Sequence, residues 1–276
     1  MNYAYQRFWH TTVRYKEGKL DLETTYCDSG QELCAKMVVI PDNFEVCEAW
    51  WEVYRAPGYS SPARFDVKSL QGMKAYFGCG KELKNALEPL NFPEARELFA
   101  EGVRGVVQAE SFLWQKRGFA DAKDYEDHWY DLFNGGCRYY NNVDRVATSW
   151  YDHVGYTERT GTLFNRFKSQ FLALDHDYWR LSGHFVDSFH SVATDIKLEK
   201  DSEVILKATG EILRAPDPVC KEASSFMPGL AQKKLPAMNK KEIAVLLGTE
   251  NGCVHLIDLV ADGATTFSLY KKQVNL

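Results

Sequence analysis

The chain has 276 residues, 45% of them hydrophobic and 26% charged, with a net charge of −5. That length and composition support one large core or two smaller ones. The acidic balance and the lack of a Lys/Arg block argue against a nucleic-acid partner, whose affinity comes mainly from phosphate neutralisation. No apolar run approaches the roughly 18 residues of a membrane span. Met1–His10 has no apolar leader core, and the seven cysteines form no regular framework, so free thiols in a reducing cytoplasm are expected.

In chain order, Phe8–Tyr15, Lys19–Tyr26, Leu33–Ile40 and Phe44–Tyr54 alternate in the β manner, joined by short turns at Glu17-Gly18, Asp28-Ser29-Gly30 and Pro41-Asp42-Asn43. Short links of this kind predict an antiparallel meander. Arg55-Ala56-Pro57 ends the last strand, since proline cannot continue a ladder. A helix follows over Pro93–Lys116, with Gly118 as its stop. Phe119–Thr162 is poor in Pro and Ser and dense in aromatics. Asp121 can cap a helix that puts Tyr125, Trp129, Leu132 and Phe133 on one face, and a second helix carries Val143, Val146, Ala147 and Trp150.

The strand pattern then recurs at Phe167–Leu174, Tyr178–Val186, Val192–Leu198 and Val204–Leu213, followed by helices at Lys240–Leu247 and Gly252–Ala261. Sliding the chain by 159 residues lays Arg7–Pro57 over Arg166–Pro216 without a gap, matching Arg7-Phe8 to Arg166-Phe167, Leu22 to Leu181, Asp28 to Asp187 and Arg55-Ala56-Pro57 to Arg214-Ala215-Pro216. The expected fold is α+β. It comprises two tandem copies of a four-stranded antiparallel sheet followed by helices (residues 1–118 and 164–276), with a helical, aromatic-rich insert at 119–163 that covers a cavity.

Two groups of residues carry candidate chemistry. The second copy holds Asp187 and His190 at the turn between its second and third strands, Cys220 after Pro216, and Cys253 and His255 at the start of the last helix. Cys253 and His255 are two apart, so both face one point only at an irregular helix start, where the helix dipole favours a thiolate. Asp187, Cys220, Cys253 and His255 are donors that zinc or iron accepts. The first copy keeps Asp28 but places Gly105-Val106-Val107-Gln108 where Gly252-Cys253-Val254-His255 stands, so it lacks the donors. The insert offers a rival set, His128 beside Asp127, and Tyr151, Asp152 and His153. A histidine next to a carboxylate can serve as a general base, and the Trp and Tyr around it can sandwich an aromatic substrate.

Residues 164–265 resemble a bacterial domain-of-unknown-function family marked by a Gly-Cys-Thr-His-Leu-x-Glu-Leu helix start after a Pro-x-x-x-Cys segment. The resemblance rests on Arg166, Leu181-x-Gly183, Asp187, Arg214-Ala-Pro216, Cys220, Gly229 and Gly252-Cys-Val-His-Leu-x-Asp258-Leu, with Val254 in place of Thr and Asp258 in place of Glu. It implies family membership and no particular activity. At the level of fold, the pattern is similar to iron–sulfur scaffolds of the NifU/IscU type, which implies convergence of Asp187, Cys220, Cys253 and His255. Such a scaffold uses three thiols, and Asp187 stands where one would be.

No dinucleotide fingerprint, phosphate loop or Gly-x-Ser-x-Gly elbow is present, so no organic cofactor is expected. The leading expectation is an enzyme acting on a small aromatic compound, lignin-like and phenolic, by acid/base chemistry. A lyase of the retro-aldol, aldehyde-releasing type comes first and a hydrolase second, with His128, Tyr151, Asp152, His153, Cys253 and His255 as candidate catalytic residues. One alternative is a zinc- or iron-binding enzyme or carrier built on Asp187, Cys220, Cys253 and His255. The other is a non-catalytic structural protein whose repeats, through sheet edges and aromatics, form an oligomer interface, such as that of a homodimer.

Overall fold

The computed structural model describes residues 2–155 and 159–274. The strands are β1 (Asn2–Lys16), β2 (Lys19–Asp28), β3 (Glu32–Val39), β4 (Val46–Arg55), β5 (Ala63–Asp66), β6 (Thr162–Asp175), β7 (Tyr178–Asp187), β8 (Ser191–Glu199) and β9 (Ile205–Arg214). The helices are α1 (Gly80–Leu87), α2 (Pro93–Ala109), α3 (Ala122–Phe133), α4 (Trp150–Val154), α5 (Lys240–Leu246) and α6 (Val254–Val274). The α+β class holds, but the expectation of two separate four-stranded sheets does not. Among the described residues, all nine strands lie in one antiparallel sheet, ordered β5-β4-β3-β2-β1-β6-β7-β8-β9.

The physical reason lies in the first strand of each repeat. In an isolated meander β1 and β6 would each be an edge, with a row of unpaired amides and carbonyls. Each instead runs several residues beyond the periodic core expected for it, and the two are hydrogen-bonded to one another. Alternation could not report this pairing, because it records which face is buried and not what lies along an edge.

The chain forms two compact units, Met1–Arg7 with Glu126–Gly155 and Lys168–Leu276, and Phe8–Tyr125 with Tyr156–Phe167. In the second of these, α2 lies on β2 and β3 around a core that includes Trp51, Tyr26 and Phe99. In the other, α6 lies on β7 and β8 around Leu181, Phe185, Ile196, Met227, Leu256, Val260 and Phe267. A long run of 3₁₀ turns over Pro218–Leu230, which no periodicity announces, covers β9 and buries Met227.

The repeated helices fix a register that the sequence comparison misplaced. Glycines let each helix approach its sheet closely. A Cβ on Gly102 would lie 2.8 Å from Met37 Cε and 3.8 Å from Leu22 Cδ2, and one on Gly263 would lie 2.6 Å from Leu181 Cδ2. Leu22 and Leu181 are equivalent strand residues, so Glu101-Gly102 corresponds to Asp262-Gly263, and the first helical residues, Pro93 and Val254, coincide. The counterpart of His255 is therefore Glu94 and not Gln108.

Candidate functional site

The β7–β8 connection is a tight turn held by its own aspartate. Asp187 Oδ1 accepts the backbone N–H of Phe189 at 2.8 Å and of His190 at 2.6 Å, and Asp187 N donates to His190 O at 3.0 Å. Aspartate suits this place because its short carboxylate reaches amides two and three residues on. Arg214, at the end of β9, clamps the turn from outside by donating to the carbonyls of Asp187 and His190. The turn thereby aims His190, whose Nδ1 lies 3.2 Å from Asp187 Oδ1.

His255 reaches the same place from the first turn of α6. Its ring stacks on Phe185 with centroids 4.4 Å apart, and meets the His190 ring at 4.3 Å. One donor atom from each of Asp187, His190 and His255 lies within 4.8 Å of the others. Two of these residues, Asp187 and His255, belong to the donor set expected from sequence. His190 was visible at the same turn, and its signal was the Asp-x-x-His spacing across a tight hairpin.

The cysteines behave differently from expectation. Cys253 Sγ is 3.9 Å from His255 Nδ1, beside the donor group and not in it. Burial pushes its thiol up to about 12, against the smaller downward pull of the Leu256 and His255 amides at the helix start. Cys253 is thus a protonated thiol at neutral pH, with burial overriding the helix dipole. Cys220 is buried against Tyr139 and Val219, with Cys137 packed alongside, and burial likewise pushes it up to about 12. It stands outside the Asp187 group.

The insert is pinned over these elements. Arg138 N donates to Gly252 O at 2.9 Å, while its guanidinium donates to Val219 O at 2.9 Å and Asn251 O at 3.1 Å. Asp217 accepts the amides of Ala147, Thr148 and Val219. Burial pushes this carboxyl up, but the three amides together hold it below the ordinary carboxylate range. The insert then delivers Trp150 against Phe189, with ring centroids 4.9 Å apart, and His153 Nε2 to 3.0 Å from Phe189 O.

The other insert candidates do not join this group. His128 and Asp152 are exposed. Asp152 serves α4 itself, accepting from Ser149 Oγ at 2.9 Å while its amide donates to that oxygen at 3.1 Å, an N-terminal cap. Tyr151 N donates to Glu126 Oε1, which ties α4 to α3.

His153 gives a pH prediction. Burial lowers its pKa from the ordinary 6.5, and His190 and Arg214 add to the lowering, while the Phe189 carbonyl and Asp187 oppose it. The native state therefore takes up a proton at lower pH than the unfolded chain. Stability is fully expressed above about 6.5 and declines as pH falls below it. We expect His153→Asn to flatten the decline of Tm between pH 7 and pH 5. An unchanged slope would exclude His153 as its source.

Comparison of the chain with family models, with curated proteins and with solved structures finds no match. No helix among the described residues is long and apolar enough to cross a membrane.

Proposed function

We propose that the protein is an enzyme that cleaves a small aromatic compound at a divalent metal ion, zinc or iron(II), held by Asp187, His190 and His255. The observation that carries this reading is the convergence of three donor atoms from two separate elements within 4.8 Å. A tetrahedral ion with bonds of about 2.0–2.1 Å keeps neighbouring donors roughly 3.3 Å apart. Two imidazoles and a carboxylate suit zinc or iron(II), and three protein ligands leave a position for substrate.

Trp150, Phe189 and Phe185 around the donors favour an aromatic substrate. A retro-aldol cleavage that releases an aldehyde needs a base for a hydroxyl proton and an electrophile for the charge left on the other fragment. A bound ion supplies the electrophile. His153 suits the base: with Nε2–H donated to Phe189 O, Nδ1 carries the lone pair, and burial keeps the ring neutral. A metal-free version is the second reading, in which Asp187 orients His190 as the base, as their 3.2 Å contact allows.

Metal analysis of the purified chain, with turnover of a panel of phenolic compounds before and after chelation, tests the proposal. We expect about one equivalent of metal, lost in His190→Ala and His255→Ala, and turnover that stops on chelation and returns with zinc or iron(II). Turnover that survives chelation would favour the metal-free reading. Lack of turnover in metal-loaded protein across the panel would remove the aromatic substrate class.

A further inference from the structure

The two repeats build the same four positions and differ at three of them, and one difference sets what the second can hold. In the first repeat Tyr26 Oη donates to Asp28 Oδ2 at 2.5 Å, and Gln31 Nε2 donates to Glu94 Oε1 at 2.9 Å. Asp28 also holds its own turn, through the amides of Gly30 at 2.7 Å and Gln31 at 2.9 Å. The corresponding residues in the second repeat are Phe185, Asp187, His190 and His255. Turn, aspartate and clamping arginine are common to both, since Arg55 donates to Ser29 O and Asp28 O much as Arg214 does to the second turn. What changes is that an amide and a carboxylate joined by a hydrogen bond become two imidazoles, and a buried phenol becomes a phenyl ring.

We infer that Phe185 is the positioning residue of the metal centre, and that the loss of the hydroxyl at this position makes the second repeat the competent one. This inference rests on the metal reading above. Two physical effects support it. A carboxylate has roughly four lone-pair sites, so the turn amides and an ion can share Asp187, whereas a phenol seated as Tyr26 is on Asp28 would take up one side of it. The ring that remains is 2% exposed and stacks on His255 at an interplanar angle of 27°, which fixes the plane of the imidazole. An imidazole that ligates through one nitrogen has only rotation about its side-chain bonds left to lose, and a fixed neighbour removes that freedom before the ion arrives.

The experiment is a cobalt(II) titration of the full chain, stripped of metal, followed by calorimetry and by the visible absorption of the bound ion. Loss of groups that orient metal ligands costs about 10–100-fold in affinity, and we expect Phe185→Tyr to fall in that range with Tm close to the parent. Phe185→Leu, which has neither hydroxyl nor flat ring, should bind more tightly than Phe185→Tyr and show a shifted cobalt spectrum. The reverse experiment uses the first repeat. Gln31→His with Glu94→His should gain a second equivalent of cobalt only when Tyr26→Phe is added.

If the parent chain binds no cobalt, the metal reading itself falls. Parental binding with Phe185→Tyr equally tight would overturn the role of Phe185 and leave the metal reading standing. Should Phe185→Tyr not fold, the first-repeat variants decide: a second equivalent that appears with Tyr26 intact overturns the inference.

Discussion

Asp187→Ala is expected to abolish the metal binding proposed above and to loosen the β7–β8 turn at the same time. One oxygen of Asp187 holds the Phe189 and His190 amides and lies next to the His190 ring. Alanine leaves both amides without that acceptor, at a cost of about 1–3 kcal/mol for each one kept from water. Metal affinity should fall by more than the ~100-fold typical of losing a supporting group, since a ligand itself is removed and His190 loses its aim. Asp187→Asn separates the two roles. Its amide oxygen still accepts the turn amides, so folding should be nearly retained, while the anionic ligand is gone. Calorimetric titration with zinc and thermal unfolding, run on both variants, check this. Parental zinc affinity in Asp187→Asn would remove the carboxylate from the site.

A second large loss of stability is expected at Glu110. This carboxylate is fully buried, accepts Tyr76 Oη at 2.7 Å, and is paired with Arg117 Nε at 2.8 Å. Arg117 also lies over the Phe44 ring at 4.3 Å and donates to Asp42 O. Burial, and then the Glu110 charge, push the Tyr76 phenol far up, so it stays a hydrogen-bond donor at any ordinary pH. Glu110→Ala removes one member of a buried pair and leaves the other uncompensated, which costs about 3–5 kcal/mol. For a protein of this size that corresponds to a fall in Tm of roughly 6–20 °C. Glu110→Gln keeps the shape and an acceptor and should lose less. Urea denaturation measures both, and a loss below about 1 kcal/mol in Glu110→Ala would show that Arg117 finds other partners.

Much of this architecture was legible in the residues. The 159-residue repeat and the alternation placed the strands from β2 to β4 and from β7 to β9 within a few positions, because burial on one face writes itself into every second residue. The union into one sheet was not legible, since edge pairing leaves no periodic trace. The candidate site was read in part. Asp187 and His255 stood out through their spacing and their place at element ends. His190 stands at the same turn, but its role depends on that turn closing around Asp187, which spacing alone does not show. Cys220 and Cys253 stood out by residue type, and only burial, which composition does not report, shows them to be protonated thiols. The helix equivalence failed for a simple reason. Local identities favoured Gly105 and Val107 over Gly252 and Val254, whereas what is matched in space is the close approach of Gly102 and Gly263 to their leucines.

The beginning of β1 has a consequence for how the protein is made. Tyr5 sits in the core that surrounds Leu181 and Phe267, and Arg7 donates to Thr266 Oγ1 across 259 residues of chain. During synthesis these residues leave the ribosome well ahead of their partners, which for Arg7 and Thr266 lie 259 residues apart. At roughly 5–20 residues per second, the wait is on the order of 13–50 s. Over that interval an amide-bearing strand end with an aromatic and a guanidinium has no native seat, which makes it a natural client for chaperones. Shortening the chain by seven residues at its start should therefore slow or spoil assembly of the unit that carries Asp187, His190 and His255, although all three lie far along the chain.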